Sequence, residues 1–337
     1  MRLIVILSIV LLPRNAPGQE FTLAVDVPLV SFDVSVVDAR GLPVADLEAV
    51  DVEVWEDGVL QTNRYFGEST EPFPYYIQLL FDSSGSTANR WSLMAGALEA
   101  FVDQALPAGR LSTGVFGSFL HFDDGWTHPA EIELDVVPLL ESLESGRSTQ
   151  FYRAVGEALG RGVFDGIDER RILVVMTDGR DSSLYRETLR RGRVPEWRED
   201  PWFTRLVETV RSGNVPVYFI AFNTDRNIGF NLGGTDEYRD LRRFFPNSSV
   251  PEDYLLQVRI RMEEIARVTG GQVVFPESMQ DLEEFARDIT RGLGDGYSIG
   301  YSPRPAEPGE GVRHINVRVA RDEPLFVTHS QTEYQPQ

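Results

Sequence analysis

The sequence predicts an α/β protein, a doubly wound and mostly parallel sheet inserted into a small β-sandwich made from the two ends of the chain. Three observations predict it. Between residues 75 and 295, short apolar runs alternate with stretches of helical periodicity, the pattern of strands joined by crossover helices. Two of these runs, Ile172-Leu173-Val174-Val175-Met176 and Val215-Pro216-Val217-Tyr218-Phe219-Ile220-Ala221, are apolar without a break, as strands covered on both faces should be. The flanking segments instead show period-two alternation punctuated by turn residues.

Taken in order, Met1-Arg2 and the apolar run Leu3 to Leu12, followed by Ala16-Pro17-Gly18, read as a secretory signal at residues 1–18, cut after Gly18. The run is too short for a bilayer, which needs about 20 apolar residues. Residues 21–70 read as β, with turn signals at Asp38-Ala39-Arg40-Gly41 and Glu56-Asp57-Gly58 and a period-two strand at Val52-Glu53-Val54-Trp55-Glu56. Roughly four short strands fit there, too few for an independent unit. The central unit spans 74–293, with strands expected at 75–82, 112–119, 171–177, 215–221 and 272–275. Its helices are expected at 88–105, 150–163, 201–212, 252–269 and 279–293. Ser182 to Pro201 and Asn223 to Pro251 read as long polar insertions, places where such scaffolds often carry function. The segment 296–334 supplies three more strands, Gly296 to Tyr301, His314 to Ala320 and Leu325 to Ser330, which complete the sandwich begun by 21–70.

Composition narrows the function. The chain has 42% hydrophobic and 25% charged residues, a globular balance. Its net charge of −20 opposes binding to nucleic acid or anionic lipid. With no cysteine there is neither a disulfide nor a lipidated cysteine, and no segment after the signal is apolar enough to span a membrane. The expected location is therefore outside the cytoplasm, periplasmic or secreted.

The chemistry-bearing residues lie at the predicted strand ends. Asp82, Ser84 and Ser86 form an Asp-x-Ser-x-Ser string where the first central strand feeds a helix, the place where open α/β sheets bind ligands. Thr149 stands at a loop-to-helix junction and Asp178 at the end of a second apolar strand. Five hard oxygen donors with no sulfur or imidazole point to Mg²⁺ or a similar cation, not to zinc. Taken alone, Asp-Ser-Ser-Gly-Ser is an ordinary turn string; the Thr and Asp loops, in order on the matching elements, give it weight.

These three loops, Asp82-x-Ser84-x-Ser86, Gly146-Arg147-Ser148-Thr149-Gln150 and Thr177-Asp178-Gly179, resemble the metal-ion-dependent adhesion site of von Willebrand factor type A domains. The resemblance covers roughly residues 74–293, and the flanks Val52 to Gly58 and Gly296 to Tyr301 are similar to a bacterial exported subfamily. It implies that Ser84, Ser86 and Thr149 offer hydroxyl oxygens while Asp82 and Asp178 bind directly or through water. The ion is then Mg²⁺ or Mn²⁺ in preference to Ca²⁺, and its open position takes a carboxylate from a partner protein. Arg147 and Ser148 depart from the small residues common in that loop, and Thr87-Ala88 replace a bulkier residue after the first string.

Other candidates carry less. His121, His128, His314 and His329 have no metal spacing, Ser118 lacks a catalytic elbow, and Asp181 reads as a helix cap. The expected function is an exported, adhesion-type protein-binding module and not an enzyme. The alternative is a metal-stabilised envelope scaffold, and a metal-assisted hydrolase ranks third because no base accompanies the ligands in sequence.

Overall fold

The computed structural model describes residues 29–38, 44, 46–68, 74–123, 125–132, 136–137, 140, 148–160, 164, 167, 170–213, 215–222, 236–294, 296–305, 311–323, 325–329, 333–334 and 336. The expected signal segment at 1–18 lies outside them, as does Arg147.

Four strands come first: β1 (Val30–Val37), β2 (Val52–Glu56), β3 (Val59–Leu60) and β4 (Asn63–Glu68). The α/β segment follows with β5 (Tyr75–Asp82), α1 (Trp91–Gln104), β6 (Gly109–Phe116), β7 (Leu120–Phe122), α2 (Phe151–Gly160) and β8 (Arg170–Thr177). It continues through α3 (Ser182–Arg191), α4 (Pro201–Gly213), β9 (Val217–Ala221), α5 (Asp236–Phe244), α6 (Val250–Thr269), β10 (Val273–Val274) and α7 (Met279–Gly294). The last strands are β11 (Tyr297–Tyr301), β12 (Arg313–Val319), β13 (Phe326–His329) and β14 (Glu333–Tyr334).

The central sheet has six strands in the order β10-β9-β8-β5-β6-β7, parallel except for the edge strand β7. Alternate side chains feed two separate cores. Leu80, Leu173, Val175 and Phe219 meet α2, α4 and α6 on one face, while Ile77, Leu79, Phe81, Val174 and Met176 meet α1 and α7 on the other. Fully burying a side chain of this size contributes roughly 1.5–3 kcal/mol, which is why the continuously apolar strands sit at the centre.

Two four-stranded sheets, β13-β1-β11-β4 and β14-β12-β2-β3, each combine strands from before residue 70 and after residue 296. Phe32, Val34 and Ile299 of the first and Val54, Ile315 and Val317 of the second belong to one buried cluster. Among the described residues no helix is long and apolar enough to cross a membrane.

Several sequence expectations need correction. Ser182 to Pro201 is not a loop insertion: it begins with α3, N-capped by Asp181, whose side chain accepts from Ser183 N, and closed by Gly192 in the left-handed region at φ 67°. Leu184 and Thr188 are buried on this helix and Tyr185 and Leu189 are partly buried against the same core, but three arginines and Glu187 in ten residues leave the segment polar overall. The strand expected at 112–119 ends at Phe116, because Gly117 N donates to Phe119 O and turns the chain into β7. Within 223–251, residues 236–244 are helical and 223–235 lie outside the described residues. The C-terminal segment has four strands where three were expected.

Candidate functional site

β5 is the first strand of the central sheet, and the chain order reverses there: β6 lies on one side of it and β8 on the other. β5 and β8 are parallel and in register through Phe81 and Met176, so Asp82 and Thr177 leave the sheet side by side. Open α/β sheets bind ligands at such a switch point, outside the carboxyl ends of the strands.

Asp82 is fully buried and uses both carboxylate oxygens. Oδ1 accepts from Ser84 N at 2.9 Å, which closes a tight turn, and Oδ2 accepts from Thr177 Oγ1 at 2.6 Å, which joins the first and third loops. The Ser84 and Ser86 hydroxyls are 3.1 Å apart. The Thr87 hydroxyl, also buried, lies 2.7 Å from Asp82 O and 2.9 Å from Ser84 O and fastens the turn from below. Thr87 thus supports the turn through its own hydroxyl.

Thr149 stands on the second loop and is tied to the others through main-chain bonds. Its N donates to Ser182 Oγ at 2.8 Å while its O accepts from Ser182 N at 3.0 Å. Gln150 N donates to Gly117 O, beside the strand end where Ser83 N donates to Phe116 O. Asp181 spans the second and third loops, accepting from Tyr152 N at 3.0 Å and from Ser183 N at 2.7 Å. It serves as a cap to two helices at once.

Asp178 is fully buried as well. Its Oδ1 accepts from Arg180 N at 3.1 Å, whereas Oδ2 accepts no hydrogen bond from the described residues and faces Arg180 Nε at 3.4 Å. The Arg180 side chain is only 3% exposed. Sequence reasoning missed this residue. Gly179, at φ 73°, turns the backbone between them, and a Cβ there would meet Met262 Sδ at 2.6 Å, so the turn specifically requires glycine. The Asp-Gly-Arg string was the available signal.

Burial, and secondarily the negative charge of Asp178, pushes the Asp82 carboxyl up to about 7. Burial likewise raises Asp181, against the hydrogen bonds it accepts. Two acids are therefore held close together at a dry sheet edge, with hydroxyls beside them and one carboxylate oxygen without a hydrogen-bond donor. A hard cation fits that oxygen and that donor set. Among the described residues no three His, Cys, Asp or Glu side chains cluster, so a cation here must rely on hydroxyls as well as carboxylates.

No protein-family model matches the chain, and no curated protein matches it. Among solved structures, it is similar to a von Willebrand factor type A protein from Catenulispora acidiphila at 13% identity, covering 90% of this chain and 74% of that one, with a TM-score of 0.41. It is similar to the manganese-loaded TRAP protein of Plasmodium vivax at 14% identity, covering 79% and 96%, with a TM-score of 0.39. An aerotolerance-related membrane protein from Bacteroides fragilis also has 14% identity, with coverage of 65% and 98% and a TM-score of 0.39. At this level of similarity the comparisons assign neither family nor activity, and the function rests on the chain's own geometry.

Proposed function

We propose that Asp82, Ser84, Ser86, Thr149 and Asp178 hold a divalent cation, Mg²⁺ or Mn²⁺, and that the protein uses it to bind a carboxylate of a partner protein. The observation that carries this reading is the pair of buried acids at the switch point, with Asp178 Oδ2 accepting no hydrogen bond and the Ser84 and Ser86 hydroxyls adjacent to one another. The Arg180 guanidinium offsets the charge of that oxygen at 3.4 Å without hydrogen-bonding to it, so its lone pairs would still be available to a metal ion. When bound, the cation supplies an electrophilic site for an external acid. The chain's part is to keep that site undersaturated in charge. Hydroxyls in place of further carboxylates leave the ion attractive to an outside acid, and the Thr177 and Thr87 bonds fix the first loop before any ligand arrives.

In this reading the protein is an exported adhesion-type binding module and not an enzyme, its leader being residues 1–18. Its von Willebrand factor type A-like unit at 74–293 is carried on a β-sandwich formed by 21–70 and 296–334. Arg180 favours a second reading. Its guanidinium already places a positive charge beside Asp178, which suits an envelope scaffold whose site is not open to an external acid.

Water-proton relaxation of the Mn²⁺-loaded protein separates the two. An open site gives strong enhancement that acetate lowers, and Asp178→Ala removes it. Bound Mn²⁺ with no enhancement and no acetate effect would favour the scaffold.

A further inference from the structure

A groove of about 730 Å³ opens beside Thr149 and runs between α2, the start of α3 and the first turns of α4. Its walls carry three arginines, Arg153, Arg186 and Arg205, together with Trp202. Arg153 is neutralised by Glu157 at 2.7 Å. Among the described residues no carboxylate pairs with Arg186 or Arg205, in a chain with 52 acidic and 32 basic residues. Trp202 is 64% exposed on the same wall and offers a flat apolar surface beside the two arginines. The only other acid in the lining, Asp181, is buried and committed to capping.

The floor is rigid. Asp200 caps α4 through Trp202 N at 3.1 Å, accepts from Tyr152 OH at 3.3 Å, and faces the buried Arg261 at 3.6 Å. Arg261 in turn donates to Pro195 O at 3.1 Å. The helices bearing Arg205, Trp202 and Tyr152 are therefore joined to one another without a ligand, an arrangement that lowers the ordering cost of association.

We infer that this groove takes an extended acidic segment of a partner protein. One carboxylate lies toward the cation at the Thr149 end, further carboxylates lie on Arg186 and Arg205, and an apolar side chain rests on Trp202. Only the Thr149 end of this inference depends on the cation reading above. Charge complementarity selects the occupant: two unneutralised guanidiniums suit carboxylates, while the net charge of −20 opposes a nucleic acid.

The test is fluorescence anisotropy of fluorescein-labelled hexaglutamate with the full chain in Mg²⁺, beside the variant Arg186→Glu/Arg205→Glu, with calorimetric Mg²⁺ titration of both proteins. The expected result is saturable peptide binding, weakened about tenfold or more in the variant, while the variant holds Mg²⁺ at least as tightly as wild type. Trp202→Ala should also weaken the peptide. Equal peptide affinity in wild type and charge-reversed variant, no peptide binding, or preferential binding of an oligothymidylate would overturn the groove assignment. If wild type fails to bind Mg²⁺, the cation reading falls, and the same peptide comparison in EDTA decides the groove separately: a tenfold loss keeps it, and no loss discards it.

Discussion

Asp82 carries a carboxyl group where ionisation is costly, and that cost makes a pH prediction at the residue scale. Its pKa rises from 3.8 to about 7 on folding, so the metal-free folded state holds a proton that the unfolded chain loses. Its contribution to stability is complete below about pH 4, falls as pH rises toward 7, and is flat above. Cation binding must expel that proton, so Mg²⁺ affinity should rise with pH through about 7 and then level off. Calorimetry across this range in buffers of different ionisation heat checks both statements, and Asp82→Asn should remove the proton release along with most of the binding. Arg180 gives a second prediction. Its Nε lies 3.4 Å from Asp178 Oδ2, so Arg180→Met should lower the melting temperature in EDTA and raise Mg²⁺ affinity about tenfold or more. Unchanged affinity would mean that guanidinium and cation do not compete. Asp82, Ser84 and Ser86 were legible in sequence because one turn holds all three. The role of Arg180 was not, because its approach to Asp178 depends on the turn at Gly179, whose φ is 73° and where a Cβ would meet Met262.

At the scale of elements, one buried cluster ties the two outer sheets together. Glu56 of β2 pairs with Arg313 of β12 at 3.0 Å, both side chains 1% exposed, and accepts from Tyr301 OH of β11 at 2.7 Å and from Tyr334 OH of β14. Arg313 also donates to Arg304 O at 2.9 Å and Pro305 O at 3.1 Å. Removing one partner of such a pair strands a buried charge, so Glu56→Ala should cost about 3–5 kcal/mol in urea unfolding. A loss below about 1 kcal/mol would mean that the pair is dispensable. Nothing local announced this cluster, since Glu56 sits in a strand of period-two pattern and its partners lie some 250 residues away. The helix α3 was missed for another reason: Leu184, Tyr185 and Leu189 form its short stripe among arginines, and only the Asp181 and Gly192 caps marked its ends. Long periodic helices such as α6 and α7 were legible nearly to the residue, because each buries a whole face.

For the whole molecule, the candidate site and the β segments lie at opposite ends of the central strands. Eight-residue β5 runs from Tyr75 to Asp82, about 23 Å at the usual rise per residue. At the Tyr75 end, Arg170 donates to Leu293 O and, at 3.2 Å, to Val34 O, linking the start of β8 to α7 and β1. The chain enters and leaves the α/β segment at that end, so residues 74–293 expressed alone should fold and keep the Mg²⁺ affinity of the full chain. An unfolded fragment by circular dichroism would contradict the proposed division. The two-ended β arrangement was legible only by counting strands left without partners, and its register could not be read because pairs such as Val34 with Tyr297 join distant parts of the chain. Calorimetric titration of Mg²⁺ into the full chain, beside Asp178→Ala, tests the cation site most directly. Saturable one-to-one binding that the variant loses is expected; no binding by wild type, or equal binding by the variant, would rule the cation site out.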